Sequence, residues 1–307
     1  MNKSANNRIE VLGIIYALAA TAIWSGNVAI ARGLFEDIPP VTLAFWRWVV
    51  AVIVALPFGL KALIAEWGAL KKSLPYLILT SILGISLFNT LLYIAGRSTT
   101  AINLSLISIT FPIFVIILSR IFFRETISLY RWIGILLVIS GIILLITKGH
   151  PARLLDISFA VGDVWMLIAA LVWALYGILI KQKPPELSNW SFQIATFILG
   201  LIFLFPFYIW EYLTVPPVDF TPKVVAAILY IGIFASVVAF VFWIKAIATI
   251  GPSKTGVVYY TMPLFSGALA FLFLNEQIGA LHLFTGLMIV VGILIANREK
   301  HKPEIND

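Results

Sequence analysis

The sequence predicts an all-α integral membrane fold of ten transmembrane helices, arranged as two inverted five-helix repeats. Three observations carry that expectation. Hydrophobic residues make up 61% of the 307 residues and charged ones only 11%, with a mean hydropathy of +1.03, whereas soluble domains carry roughly 25% charge. The apolar residues gather into ten runs, most of them near the roughly 20 residues that cross a hydrocarbon core. The second half of the chain also repeats spacings found in the first.

The runs lie at about 11–31, 41–60, 75–96, 100–119, 130–147, 161–180, 190–210, 223–246, 253–274 and 280–297. Lipid offers backbone groups no water to bond, so continuous spans of this length must be helices. Val11 to Ala20 imitates the core of a signal peptide, but the run continues to Ala31, which argues against cleavage. Placing successive loops on alternate sides puts fifteen of the 21 lysines and arginines on the side of the N-terminus and five opposite, with Arg47 inside a span. The positive-inside rule then predicts a cell (inner) membrane protein with both termini cytoplasmic. The same asymmetry explains the net charge of +7 without a nucleic-acid partner, since no block of five or six basic residues occurs. There is no cysteine, hence no disulfide framework and no thiolate metal site.

Pro112, Glu125 and Gly141 recur as Pro263, Glu276 and Gly292, each displaced by 151 positions. Trp24 answers Trp173, Pro39 and Pro40 answer Pro184 and Pro185, and Gly84 answers Gly232. The expected halves are residues 1–149 and 150–307. Five is an odd number of crossings, so the second copy enters the membrane from the opposite face, and inverted repeats of that kind build alternating-access carriers.

The stretches IWSGNVAIARGLFEDIPPVTLAFWRW, TFPIFVIILSRIFFRE and TMPLFSGALAFLFLNE resemble the drug/metabolite transporter superfamily, in particular its ten-helix EamA-type members. The resemblance covers nearly the whole chain. It implies a basket-like bundle with a central cavity that moves small metabolites, often amino acids outward. Four-helix multidrug exporters of the same superfamily carry a glutamate in their first helix. Here the first span reads IIYALAATAIWSGNVAIA and no acid sits at mid-membrane in any span, which argues against proton-coupled export of organic cations.

The candidate substrate-binding residues follow from polarity inside apolar spans. Asn89 and Tyr93 lie one turn apart, Trp173 and Tyr176 share a face, as do Gln193 and Thr196, and as do Thr255, Tyr259 and Met262. Trp24, Asn27 and Trp243 add to these. Such faces point into a bundle, either around a cavity or as glue between helices. Pro112 and Pro263 interrupt their spans at matching places, leaving the carbonyls of Ser108 and Tyr259 without helical donors, and paired interruptions point to a binding site. Arg47 stands between two tryptophans about 9 Å into its span. It either snorkels to the surface or sits at the cavity mouth and attracts a carboxylate from the outer side, with small Ala44 and Ala51 leaving it room. Glu125 and Glu276 are expected to face the N-terminus of the next helix, with gating or proton coupling as the other reading.

Other classes fit less well. His150, His282 and His301 lie in loops or at helix ends with no His-Glu-x-x-His spacing, and no clustered acids could hold magnesium. An integral membrane enzyme, a metal centre or a bound cofactor is therefore not expected; a channel shares the hydropathy but does not require a proline-matched repeat. The expected partners are a small-molecule substrate and membrane lipid, with the chain acting as a monomer. Sugar, purine or other metabolite transport, and uptake rather than export, stay open.

Overall fold

Residues 3–123, 128–150, 160–180 and 182–296 are described by this computed structural model, and every regular element among them is a helix. The first half contains α1 (Lys3–Gly33), α2 (Pro40–Ala65), a short α3 (Trp67–Lys72), α4 (Leu74–Ser81), a π-helical segment Ile82–Leu87, α5 (Phe88–Gly96), α6 (Ala101–Ser108), α7 (Phe111–Phe123) and α8 (Leu129–Ile146). The second half contains α9 (Val161–Ile180), α10 (Asn189–Thr214), α11 (Pro222–Leu229), a second π-helical segment Tyr230–Val238, α12 (Ala239–Tyr259), α13 (Met262–Leu274) and α14 (Ala280–Ala296).

Among the described residues, seven helices are long and apolar enough to cross a membrane: Glu10–Gly33, Pro40–Ala65, Leu74–Gly96, Ala101–Phe122, Val161–Ile180, Asn189–Thr214 and Pro222–Gly251. Trp132–Leu145, Met262–Leu274 and Ala280–Ile295 are shorter and equally apolar in character. Phe273, Leu272 and Leu213 stand more than two-thirds exposed on the outside of the bundle, a surface that only lipid can cover at low cost. The main apolar cluster of the interior holds Val28, Ala44, Trp48, Tyr93, Ile107, Ile194 and Ile289 almost wholly buried, with smaller clusters around Leu77 and Ala174.

The expectation for the two prolines is corrected in one respect. Neither lies in a helix interior; each is the second residue of the helix that follows the break, α7 or α13, where a missing N–H leaves no bond unmade. The chain before it leaves helical hydrogen bonding at Ile109–Thr110 and at Tyr260–Thr261. At both places a threonine closes the preceding helix: Thr110 Oγ1 donates to the Ile107 carbonyl at 2.6 Å and Thr261 Oγ1 to the Val258 carbonyl at 2.7 Å. Within α12, Gly251 (φ 80°, ψ 160°) leaves helical geometry, so the helix of the eighth apolar run ends there and that of the ninth begins, the two meeting at a kink. A positive φ of this size is accessible to glycine at little cost.

Packing follows partner helices across the halves. α1 lies along α12, α5 along α9, α2 along α10, α6 against α13, and α8 along α14. Ala44, Ala51, Ala55 and Gly59 present the small face of α2 to its neighbours, which lets backbones approach closely.

Three carboxylates seal helix ends, and this differs from the expected service to the next helix in sequence. Glu276, just past α13, accepts from the Ala101 and Ile102 N–H groups at the start of α6, with Arg32 Nε 3.7 Å away. Glu211, near the end of α10, accepts from the N–H groups of Val41 and Thr42 and from the Thr42 hydroxyl at 2.8 Å. Glu66, just past α2, accepts from the Ser188 N–H at 2.8 Å and from the Ser191 hydroxyl. α2 and α10 thus cap each other, each end-carboxylate meeting the other helix's positive N-terminus. Glu125, the repeat partner of Glu276, lies outside the described residues.

Candidate functional site

Arg47 is 3% exposed and does not snorkel. Its Nε donates to Ser236 Oγ at 2.7 Å, and its Nη1 donates to Asn89 Oδ1 at 2.6 Å, Tyr93 OH at 2.9 Å and Asn27 Oδ1 at 3.2 Å. The guanidinium carbon stands 4.7 Å over the Trp48 ring. Every one of these partners is neutral, and among the described residues no acid pairs with it.

The two π-helical segments explain why these groups present lone pairs to the cation. A π turn frees carbonyls from the regular ladder. Asn89 Nδ2 donates to the Gly84 carbonyl at 3.3 Å, which turns Oδ1 toward Arg47. Ser236 Oγ donates to the Ile231 carbonyl at 2.9 Å, which leaves its oxygen free to accept. The indoles of Trp48 and Trp24 donate to the carbonyls of Ile85 and Ala235 at 3.1 and 3.0 Å, one in each segment. Tyr93 OH donates to Asn27 Oδ1 at 2.8 Å, so its own lone pair faces the guanidinium. Charge-assisted bonds of about 1.5–3 kcal/mol each are of the size needed against the several-kcal/mol cost of burying an unpaired cation. The four bonds use Nε and Nη1, leaving Nη2 as the donor available to a ligand.

A cavity of about 400 Å³ opens beside this network. Trp24, Asn27, Arg47, Asn89, Ser108, Trp173, Tyr176, Gln193, Trp243 and Tyr259 all line it. Tyr93 does not; it stands behind Arg47 and holds it. Pro112 and Pro263 do not line it either, because each begins its helix beyond the break while the residues just before them, Phe111 and Met262, face the space. Two aromatic walls bound the cavity. Trp24, Trp243 and Tyr259 sit with centroids 5.3–6.0 Å apart, and Phe88, Trp173 and Tyr176 form a second group with neighbouring centroids at 4.5 and 5.0 Å.

The position expected for Arg47 at an outer mouth is corrected. From Asn27 and Asn89 the lining runs along the last turns of α9 and the first turns of α10 to Lys183 and exposed Asn189, at the opposite end of the bundle from the start of α2. Arg47 is therefore the floor of the cavity and Lys183 stands near its mouth. Neither is matched by an acidic lining residue. Among the described residues no cluster of His, Asp and Glu has the grouping of a metal site.

Sequence reasoning missed Ser236, Trp48, Phe88, Phe240 and Lys183. A lone serine in IFASVVAF and phenylalanines in an apolar run carry no mark that separates lining from packing. Lys183 reads as an ordinary loop cation until its place near the mouth is seen.

A model of the EamA-like transporter family matches the chain twice, over residues 11–147 and 160–298. An uncharacterized transporter from Archaeoglobus fulgidus is 28% identical over 282 residues, covering 91% of this chain and 95% of that one. The uncharacterized transporter YyaM of Bacillus subtilis is 25% identical over 96% of this chain and 97% of its own length. A probable terminal-alkyne amino-acid exporter from Streptantibioticus cattleyicolor is 25% identical over 92% and 93%. A solved crystal structure shares the fold with a TM-score of 0.60 at 18% identity, over 93% of this chain and 97% of that one.

Proposed function

Because this chain belongs to the EamA-like transporter family, we propose that it is a secondary transporter of small metabolites bearing a carboxylate, amino acids first among them, carried outward across the cytoplasmic membrane. The observation that carries this reading is Arg47, a buried cation with four neutral acceptors, a free Nη2 and a place on the cavity floor. A carboxylate arriving from the cavity supplies the missing charge and a charge-assisted bond. The aromatic walls suit the apolar part of such a molecule and, through their π faces, an ammonium group. The probable amino-acid exporter among the relatives supports the substrate class.

Ten spans in two inverted halves, 1–149 and 150–307, supply the mechanism. The packing supports it: exchanging the halves turns the α1–α12 contact into α9–α5 and the α1–α13 contact into α9–α7, and maps α2–α10 and α8–α14 onto themselves. With both termini cytoplasmic, the mouth near Lys183 faces the cytoplasm and the structure is the inward-open state of a monomer. Alternating access closes that mouth and opens the end at which α2 begins.

The test is efflux. Cells overproducing the protein and loaded with amino acids or amino-acid analogues should excrete at least one of them faster, and tolerate its toxic analogue better, than cells producing Arg47→Gln. No difference across amino acids, together with saturable counterflow of a sugar or purine in proteoliposomes, would overturn the substrate class.

A further inference from the structure

Asp163 is a buried acid for which the cavity has no use. It is the third residue of α9 and only 1% exposed. Its carboxylate accepts from the Thr99 hydroxyl, and from Asn103 Nδ2 at 3.2 Å on one oxygen and 3.4 Å on the other. These donors are neutral, and among the described residues no cation forms an ion pair with Asp163. Asn103 is itself 9% exposed, and its buried Oδ1 has no hydrogen-bond partner. Buried polar atoms are nearly always satisfied, so an orphan acceptor beside a buried carboxylate asks for a second state.

Protonation supplies that state. A carboxylate can only accept, so Asn103 now offers it N–H; a carboxylic acid must donate, and the same amide turned over offers Oδ1 in the same place. One proton adds to a carboxylate oxygen and only hydrogen bonds change. The surroundings keep the site sensitive to that single event. Lys148, exposed just past α8, is the charged side chain whose field reaches Asp163. Arg97 after α5 is exposed, Tyr93 of α5 is committed to Arg47 and Asn27, Tyr76 of α4 donates to the Leu179 carbonyl, Arg120 of α7 lies at that helix's far end, and Tyr176 of α9 lines the cavity.

The element under control is α6. Thr99 and Asn103 flank its first turn, and Glu276 holds the same turn through the Ala101 and Ile102 N–H groups. Both acids come from the second half of the chain. The other end of this eight-residue helix carries Ser108, which lines the cavity. A short rigid rod is thus pinned at one end by the opposite half and touches the cavity at the other.

We propose that Asp163, Thr99 and Asn103 form a proton-binding latch on the outer end of α6. Deprotonated, it accepts from Thr99 and Asn103 and holds the cavity shut toward the outside; a proton arriving from outside turns one carboxyl oxygen into a donor, so the Thr99 and Asn103 bonds must rearrange, which loosens the turn and admits the outward-open state. The inference rests on the transport reading for its meaning, but its test needs no substrate.

Hydrogen exchange read by mass spectrometry on the full-length protein in lipid nanodiscs, corrected for intrinsic exchange, is the experiment. Between about pH 8 and about pH 5, protection of residues 99–108 should fall about tenfold, while residues 189–196 at the Glu66-capped end stay unchanged. Asp163→Asn should show the low protection at both pH values. Should that variant fold poorly, Thr99→Val, which keeps the acid but removes a donor to its charged form, should move the opening midpoint to higher pH. Protection that is independent of pH in the wild-type protein, or a pH response unaltered by Asp163→Asn or Thr99→Val, overturns the latch. Such a failure leaves the efflux result untouched, and a failed efflux screen leaves this result standing.

Discussion

An arginine between two tryptophans is the residue on which the site turns. Removing Arg47 does two things: it takes a donor from the cavity floor and leaves Asn89, Tyr93 and Ser236 with lone pairs aimed at nothing, Asn27 Oδ1 keeping only the Tyr93 hydroxyl. We expect Arg47→Gln to weaken transport of an amino acid far more than of its amide or ester, by about tenfold or more in apparent affinity, since only the acid loses a charge-assisted partner. Arg47→Lys keeps the charge but not the planar fork that serves Asn89, Tyr93 and Ser236 together, so partial rescue is expected. Equal loss for both substrates in a well-folded variant would make Arg47 a structural residue only. Gly232 guards the same place from behind: a Cβ there would fall 2.6 Å from Val50 and 3.0 Å from the Arg47 carbonyl. Gly232→Ala should lower the melting temperature in detergent, at a cost of about 1–3 kcal/mol, and reduce transport with it. Arg47, Asn27 and Asn89 were legible in the sequence because a polar group in an apolar span has few reasons to exist. Their orientation was not, since it depends on carbonyls freed by π turns.

At the scale of elements, hydropathy located the apolar runs but could not see where hydrogen bonding within them changes register. The segments Ile82–Leu87 and Tyr230–Val238 have the same composition as α-helix, and only Gly84 and Gly232 mark them. The prolines did announce the breaks, though the threonines two residues ahead carry the capping. Reciprocal capping of α2 and α10 was missed because its partners, Glu66 with Ser188 and Glu211 with Thr42, are far apart in sequence. It makes a prediction for each end. Glu211 is 6% exposed, so Glu211→Ala strands the N–H groups of Val41 and Thr42 where water is scarce and should destabilise the protein by about 2 kcal/mol, read as thermal unfolding in detergent. Glu66 sits just outside its span. Burial pushes its carboxyl up, but hydrogen bonds from Ser191 and Ser188 and the charge of Lys183 together hold it below the ordinary glutamate value. A lowered pKa means stability that is complete above the unfolded value and lost as pH falls through the folded one. Glu66→Gln should therefore lower stability near neutrality and flatten the acid limb of the unfolding curve, the gap to wild type closing as pH falls; a variant that parallels wild type throughout the acid range would remove Glu66 from that role.

Across the whole molecule, the orientation predicted from charge and the direction in which the cavity opens are independent and can be tested together. Read by the positive-inside rule, the fifteen-to-five division of lysines and arginines predicts that Lys183 and Asn189 face the cytoplasm, and the lining of the cavity runs from Arg47 to those same residues. If both readings hold, one conformer of the protein is open to the cytoplasm and shut outside, with the Glu211, Glu276 and Asp163 contacts across its closed end. The chain has no cysteine, so a single introduced thiol reports its own position without background. Gln193→Cys, on the cavity wall, should react with a membrane-impermeant maleimide in inside-out vesicles and stay unlabelled in intact cells. Thr42→Cys, buried beside Glu211 at the opposite end, should resist labelling from either side until the outward-open state is populated. Tags at both termini should be digested by protease in inside-out vesicles and protected in intact cells. Tags exposed on intact cells, with Gln193→Cys labelled from outside, would invert the molecule in its membrane and turn the inward-open state into an outward-open one; labelling of Gln193→Cys from neither side would close the cavity altogether.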